Sequence, residues 1–183
     1  MSTEYVFAYG SLLRLGGARG GATKACRLRD YRRAWNVAMD NSRSLPGYKY
    51  YLSAADSSRP AVFVTFLNLV PAKGRNVSGM LVPVDAGELA TLDRRERNYD
   101  RHDVTELLEQ PIEGRVWTYR GKAAAEQRFA LAAKEGRAVI DKRYLDAVRG
   151  GFERIAADAL DEFDATTDPH QCSVVDLLRI DLD

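Results

Sequence analysis

The chain opens on a run of aromatic and β-branched residues, Tyr5 to Tyr9, stopped by Gly10-Ser11. That is the pattern of a buried strand ending in a tight turn. Similar short runs predict strands over 31–38, 48–52, 61–69, 78–83, 104–108 and 115–119. Turn-forming sequences separate several of them: Pro46-Gly47, Lys73-Gly74-Arg75-Asn76 and Glu113-Gly114. Before the 104–108 strand the spacing predicts a helix over 86–98, with Asp85 as N-cap and Glu88 completing a capping box. After Tyr119 the pattern turns helical. The segment 124–135 is alanine-rich, and 142–163 carries an apolar stripe through Tyr144, Val148, Phe152, Ile155 and Phe163. The tail 173–182 alternates as a last strand or extended arm, and the glycine-rich stretch 15–21 reads as a loop.

These elements predict an α+β fold, a small β-barrel or curled mixed sheet with packed helices. The 183 residues form one domain, 1–183, with a β-rich core over 1–119 and a helical C-terminal region over 120–183. A chain of this length buries roughly 70% of its unfolded surface, so its core needs no cross-links.

Charge and composition remove several classes of function. Twenty-seven basic residues against twenty-six acidic ones give a net charge of +1, which excludes a polyanion binder acting through bulk charge. The arginines of 27–33 alternate with Leu28, Asp30 and Tyr31, the pattern of a solvated strand face rather than a nucleic-acid site. Glu109, Glu113, Asp161, Glu162 and Asp164 read as plain surface charge. Two cysteines, Cys26 and Cys172, and two histidines, His102 and His170, are too few for a disulfide framework or a metal centre. No motif of the G-x-S-x-G, H-E-x-x-H, C-x-x-C or Walker type occurs. No leader pattern and no apolar run of membrane-spanning length is present, so the expectation is a cytoplasmic protein without membrane contact.

Two places carry candidate chemistry. On the helix expected over 86–98, Leu89, Leu92 and Glu96 fall on one stripe facing the core. Tyr99 follows three residues later, near enough to share a pocket if the helix runs that far. An inward carboxylate is either salt-bridged to one of the neighbouring arginines or desolvated and suited to shuttling protons. The second place is the turn Tyr9-Gly10-Ser11-Leu12. A strand ending in Gly-Ser frees backbone N–H groups that can hold a carboxylate or an oxyanion, or it is an ordinary strand-to-loop turn.

Taken together, FAYGSLL at 7–13 and LDRRERNYDR at 92–101 resemble the γ-glutamylcyclotransferase-like superfamily, which carries a Tyr-Gly-Ser signature and a downstream glutamate. YRRAWNVAMDN at 31–41 and PGYKYYL at 46–52 are similar to the ChaC-type, glutathione-degrading branch. Leu12 stands where the γ-glutamylcyclotransferase branch proper has asparagine, and Asp40-Asn41 stands where the ChaC pattern has Asp-His. The resemblance implies cyclisation of a γ-glutamyl group to 5-oxoproline with release of an amine. It implies Glu96 as catalytic base and acid, and Tyr9, Gly10, Ser11, Leu12 and Tyr99 as substrate-binding residues. It implies no metal and no organic cofactor, a small γ-glutamyl substrate as partner, and a monomer or homodimer. A non-catalytic binding domain on the same scaffold is the alternative.

Overall fold

The computed structural model describes residues 3–17 and 23–182. The expected loop over 15–21 therefore lies partly outside the described residues. Its first residues belong instead to a short helical turn, α1 (Leu13–Gly17).

The fold is built on two long antiparallel strands, β2 (Lys24–Asp40) and β4 (Phe63–Val84), paired from Lys24 opposite Leu81 to Asp40 opposite Phe63 with two interruptions of register. β1 (Glu4–Ala8) pairs antiparallel with the second half of β4 and parallel with β6 (Arg115–Gly121). β5 (Tyr99–Asp103) extends the sheet beyond β6. On the other side β7 (Ala138–Asp141) lies parallel to the first half of β4 and carries β8 (Ser173–Val175). The result is a curled mixed sheet of seven strands. A separate two-stranded sheet joins β3 (Lys49–Ser53) to β9 (Leu177–Asp181). The helices are α1, α2 (Ala86–Arg95), α3 (Ala123–Lys134), α4 (Lys142–Glu153) and α5 (Ala159–Thr166). Among the described residues no helix is long and apolar enough to cross a membrane.

Several expectations are corrected. The sequence Lys73-Gly74-Arg75-Asn76 does not end a strand: β4 is continuous through it. In register, Tyr31 faces Pro71 and Arg29 faces Asn76, so Asp30 alone opposes residues 72–75 and the extra chain bulges out. Asp30 takes a positive φ there and its carboxylate accepts the Gly74 N–H at 2.7 Å. Turn chemistry has been used to bend a long strand, which is how the sheet curls. The strand expected over 104–108 is a 3-10 turn, Thr105–Leu107, and the pairing residues lie earlier, in β5. The helix expected over 142–163 is two helices. The break brings Phe163 back onto Phe152, with ring centroids 4.6 Å apart. The C-terminal region 120–183 is mixed rather than helical, since β7, β8 and β9 lie within it.

The arginine segment 27–33 presents Arg27 and Arg29 to solvent, with Leu28 and Tyr31 buried, but its last arginine departs from that face. Arg33 is fully buried, its guanidinium 4.7 Å from the Phe152 ring centroid and 5.2 Å from that of Phe163. It donates to Thr166 Oγ1 at 2.7 Å and to the Ser78 carbonyl. Arg27 pairs with Glu109 at 3.5 Å and with Glu162 at 2.8 Å, so neither acid is idle surface charge. Asp164 likewise pairs with Arg149 at 2.5 Å.

Candidate active site

Glu96 is held by both ends of its helix. At the start, the Glu88 N–H donates to Asp85 Oδ1 and the Asp85 N–H to Glu88 Oε2, each at 2.8 Å, a complete capping box. Leu89 and Leu92 anchor the inner face in the core. The helix stops at Arg95 rather than at residue 98, and Glu96 is its C-cap. Its N–H still donates to the Leu92 carbonyl at 2.8 Å, and its carbonyl accepts from Tyr99 N–H at 2.9 Å. The early stop has a tertiary cause: Tyr99 pairs with Gly121, and strand pairing draws the chain out of the helix. Glu96 still faces inward, its side chain 15% exposed, with Oε1 3.3 Å from Arg95 Nε.

At the end of β1, the ladder with β4 closes at Ala8 facing Met80. The next residues turn sharply, with Leu13 N–H donating to the Gly10 carbonyl at 3.0 Å and Leu15 N–H to that of Leu12 at 2.9 Å. Gly10 has an ordinary backbone there, and a Cβ would meet Leu67 at 3.5 Å and the Tyr144 hydroxyl at 3.9 Å. The missing side chain thus leaves open the space between this turn and Tyr144.

The turn and the glutamate meet. Tyr9, Gly10, Ser11, Leu12, Glu96 and Tyr99 all line one narrow cleft of about 30 Å³, completed by Leu67, Tyr119 and Tyr144. The cleft opens into a cavity of about 450 Å³ through the shared residues Ser11, Glu96, Tyr99 and Tyr144. Neither histidine and neither cysteine lines either space. His170 instead stacks edge-on to Trp35, and burial pushes the Cys26 thiol up to about 12. Among the described residues no group of three or more His, Cys, Asp or Glu could hold a metal ion.

The phenols around Glu96 are neutral, Tyr9 buried and Tyr99 and Tyr48 half-buried. Burial, then the neighbouring tyrosine and glutamate charges, raise Tyr9 and Tyr99 well above the ordinary tyrosine value. Tyr9 donates to the Tyr119 carbonyl at 2.7 Å and Tyr99 to the Leu67 carbonyl at 2.8 Å. Tyr99 therefore forms a wall of the cleft, and its hydroxyl is committed to backbone. Burial and Glu96 push Tyr48 up to about 12.

The larger cavity was not legible from sequence. β3 supplies Lys49 and Tyr51, two residues apart and so on one face of the strand. β9 supplies Arg179 and α4 supplies Tyr144, with no local motif at either. β3 is registered by Asn41: its Oδ1 accepts Tyr51 N–H at 2.7 Å and its Nδ2 donates to the Tyr51 carbonyl at 2.9 Å. The residue at which the chain departs from the Asp-His pattern is thus a fully buried clamp on the cavity wall.

A sequence model of the gamma-glutamyl cyclotransferase, AIG2-like family matches residues 6–137. The chain belongs to this family. The match contains the Tyr-Gly-Ser turn and Glu96 but ends before α4 and β9. Among solved structures, a gamma-glutamyl cyclotransferase is 12% identical, with 94% of this chain and 93% of that one covered and a TM-score of 0.52. A yeast gamma-glutamyl cyclotransferase specific to glutathione is also 12% identical, with 93% and 100% covered and a TM-score of 0.55. These likenesses establish a shared fold. No curated protein sequence matches the chain.

Proposed function

We propose that this family member cyclises a γ-glutamyl group to 5-oxoproline, releasing the amine attached to it, with Glu96 as the proton carrier. The observation that carries this reading is the position of Glu96, inward-facing at the junction of the cleft and the cavity, opposite the Tyr9-Gly10-Ser11 turn.

The substrate's α-amine attacks its own γ-carbonyl carbon. A new carbon–nitrogen bond closes the ring and the original amide bond breaks. Glu96 takes one proton from the α-ammonium and delivers it to the departing nitrogen; the ring nitrogen sheds a second as it becomes the lactam amide, and the amine leaves with both as an ammonium, so protons balance and no water is consumed. Because nucleophile and electrophile share one molecule, holding the folded conformer contributes up to roughly 7–11 kcal/mol of the barrier reduction. The shape of the cleft serves that task, with Tyr9 and Tyr99 as fixed walls and Leu12 at its edge. The N–H groups of Gly10, Ser11 and Leu12, beyond the end of the β1–β4 ladder, are the donors for the α-carboxylate or the oxyanion.

The test is 5-oxoproline formation by wild type and Glu96→Gln, offered glutathione, a γ-glutamyl dipeptide and ε-(γ-glutamyl)-lysine. Wild type is expected to form product. The variant is expected to lose about 10²–10⁴ in rate with its unfolding temperature unchanged. The Arg95–Glu96 contact at 3.3 Å favours a second reading, in which the carboxylate is structural and the pocket only binds. Binding by wild type without product would select it.

A further inference from the structure

The larger cavity is far more basic than the molecule around it. The whole chain is nearly balanced at +1, yet seven basic side chains line this one space against two carboxylates, Glu96 and Asp141. The carboxylates offset only part of this charge. Glu96 is beside Arg95. Asp141 caps α4 from a buried position, its Oδ1 accepting Arg143 N–H at 3.2 Å and Leu177 N–H at 3.4 Å. Arg179 pairs at 2.5 Å with Asp181. Lys49 has no carboxylate within 4.0 Å among the described residues. Its ammonium instead lies 4.5 Å from the Phe66 ring centroid and 5.4 Å from that of Tyr48. A partly buried ammonium among aromatic rings and like charges lacks an anion.

The positions say which half of a substrate would supply it. The cyclising end of a γ-glutamyl compound belongs at the Tyr9-Gly10-Ser11 turn, so its leaving half extends past Glu96 into the basic cavity. We propose that this leaving half is an acidic amino acid or peptide carrying at least two carboxylates, recognised by Lys49, Arg14 and Arg179. The proposal rests on the cyclotransferase reading for the orientation of the substrate. Arg179 lies outside the segment that matches the family model, so the C-terminal part of the chain supplies one of the three recognising groups. Burial first, then Arg179 and Arg95, lower the Lys49 ammonium to about 8 against Glu96 and Asp181, and a bound carboxylate relieves that repulsion.

The experiment separates recognition from turnover by using the Glu96→Gln variant for calorimetric binding. The probes are γ-glutamyl-glutamate, γ-glutamyl-alanine and ε-(γ-glutamyl)-lysine. Binding of γ-glutamyl-glutamate is expected to be about tenfold or more tighter than that of γ-glutamyl-alanine, with the lysine compound weakest. Adding Lys49→Met or Arg179→Gln is expected to weaken the acidic probe selectively, and raised salt to narrow the gap. Arg179→Gln, at the exposed mouth, keeps the test available if the lysine variant does not fold. Equal affinities, a reversed order, uniform weakening of all three probes, or no binding at all would each overturn the proposal. Acid-selective binding in a wild type that forms no 5-oxoproline would overturn the cyclotransferase reading alone.

Discussion

A half-buried ammonium with no carboxylate paired to it weighs against folding, and Lys49 sets the direction in which pH acts. Its value of about 8 in the folded chain lies below the ~10.4 of an unfolded lysine. Between the two, the unfolded chain holds a proton that the folded chain has lost, so stability rises as pH climbs from about 8 to about 10. Below about 8 both forms are charged and the full penalty of burial remains. Lys49→Met is therefore expected to stabilise the free protein at about pH 7 by on the order of 1–3 kcal/mol and to remove the rise at higher pH. Urea unfolding at about pH 7 and about pH 9.5 reads both effects, and a lower midpoint for the methionine variant at neutral pH would sink the account. A binding group that weakens its own fold is what a site with an anionic ligand would retain.

Elements carry a different kind of clamp. Arg33, on β2, reaches across to α5 through Thr166 and to β4 through Ser78, with its planar head against Phe152 of α4 and Phe163 of α5. Arg33→Ala leaves a hole under two rings and unpartnered acceptors, and is expected to cost about 3–5 kcal/mol. Arg33→Met, similar in length and without the charge, is expected to recover part of that, as read by thermal unfolding. An alanine variant as stable as wild type would show the contact to be idle. The same elements show what the sequence could and could not disclose. The capping box at Asp85 and Glu88, the apolar run of β1 and the Leu89–Leu92–Glu96 stripe are local patterns, and they led to the cleft. The end of α2 at Arg95 and the fold-back of Phe163 are decided by partners distant in sequence. The 73–76 segment reads locally as a turn between strands, and only its long partner β2 makes it a bulge within one. Arg33 sits in an arginine-rich run, and nothing local marks it as the one that is buried.

At the scale of the molecule, the site has walls of unequal stability. The Tyr9–Leu12 turn and Tyr119 of β6 belong to the main sheet and its core. The β3–β9 wall is a two-stranded ladder outside that sheet, held by Asn41 and by Tyr51 and Leu177 in a smaller apolar cluster. Two-stranded sheets are marginal on their own. Amide hydrogen exchange is therefore expected to be faster across β3 and β9 than across β2 and β4, with addition of an acidic γ-glutamyl ligand slowing β3 and β9 selectively. Uniform protection across both sheets would contradict this. The pairing of Lys49 with Asp181 also has a meaning in the order of synthesis. A ribosome extends the chain at about 5–20 residues per second, and β3 leaves it long before β9 exists. Before that interval ends the turn, Lys49 and the glutamate have all been made, while the strand that completes their cavity has not. A ligand that needs the β3–β9 wall could therefore assist folding only of chains translated past β9.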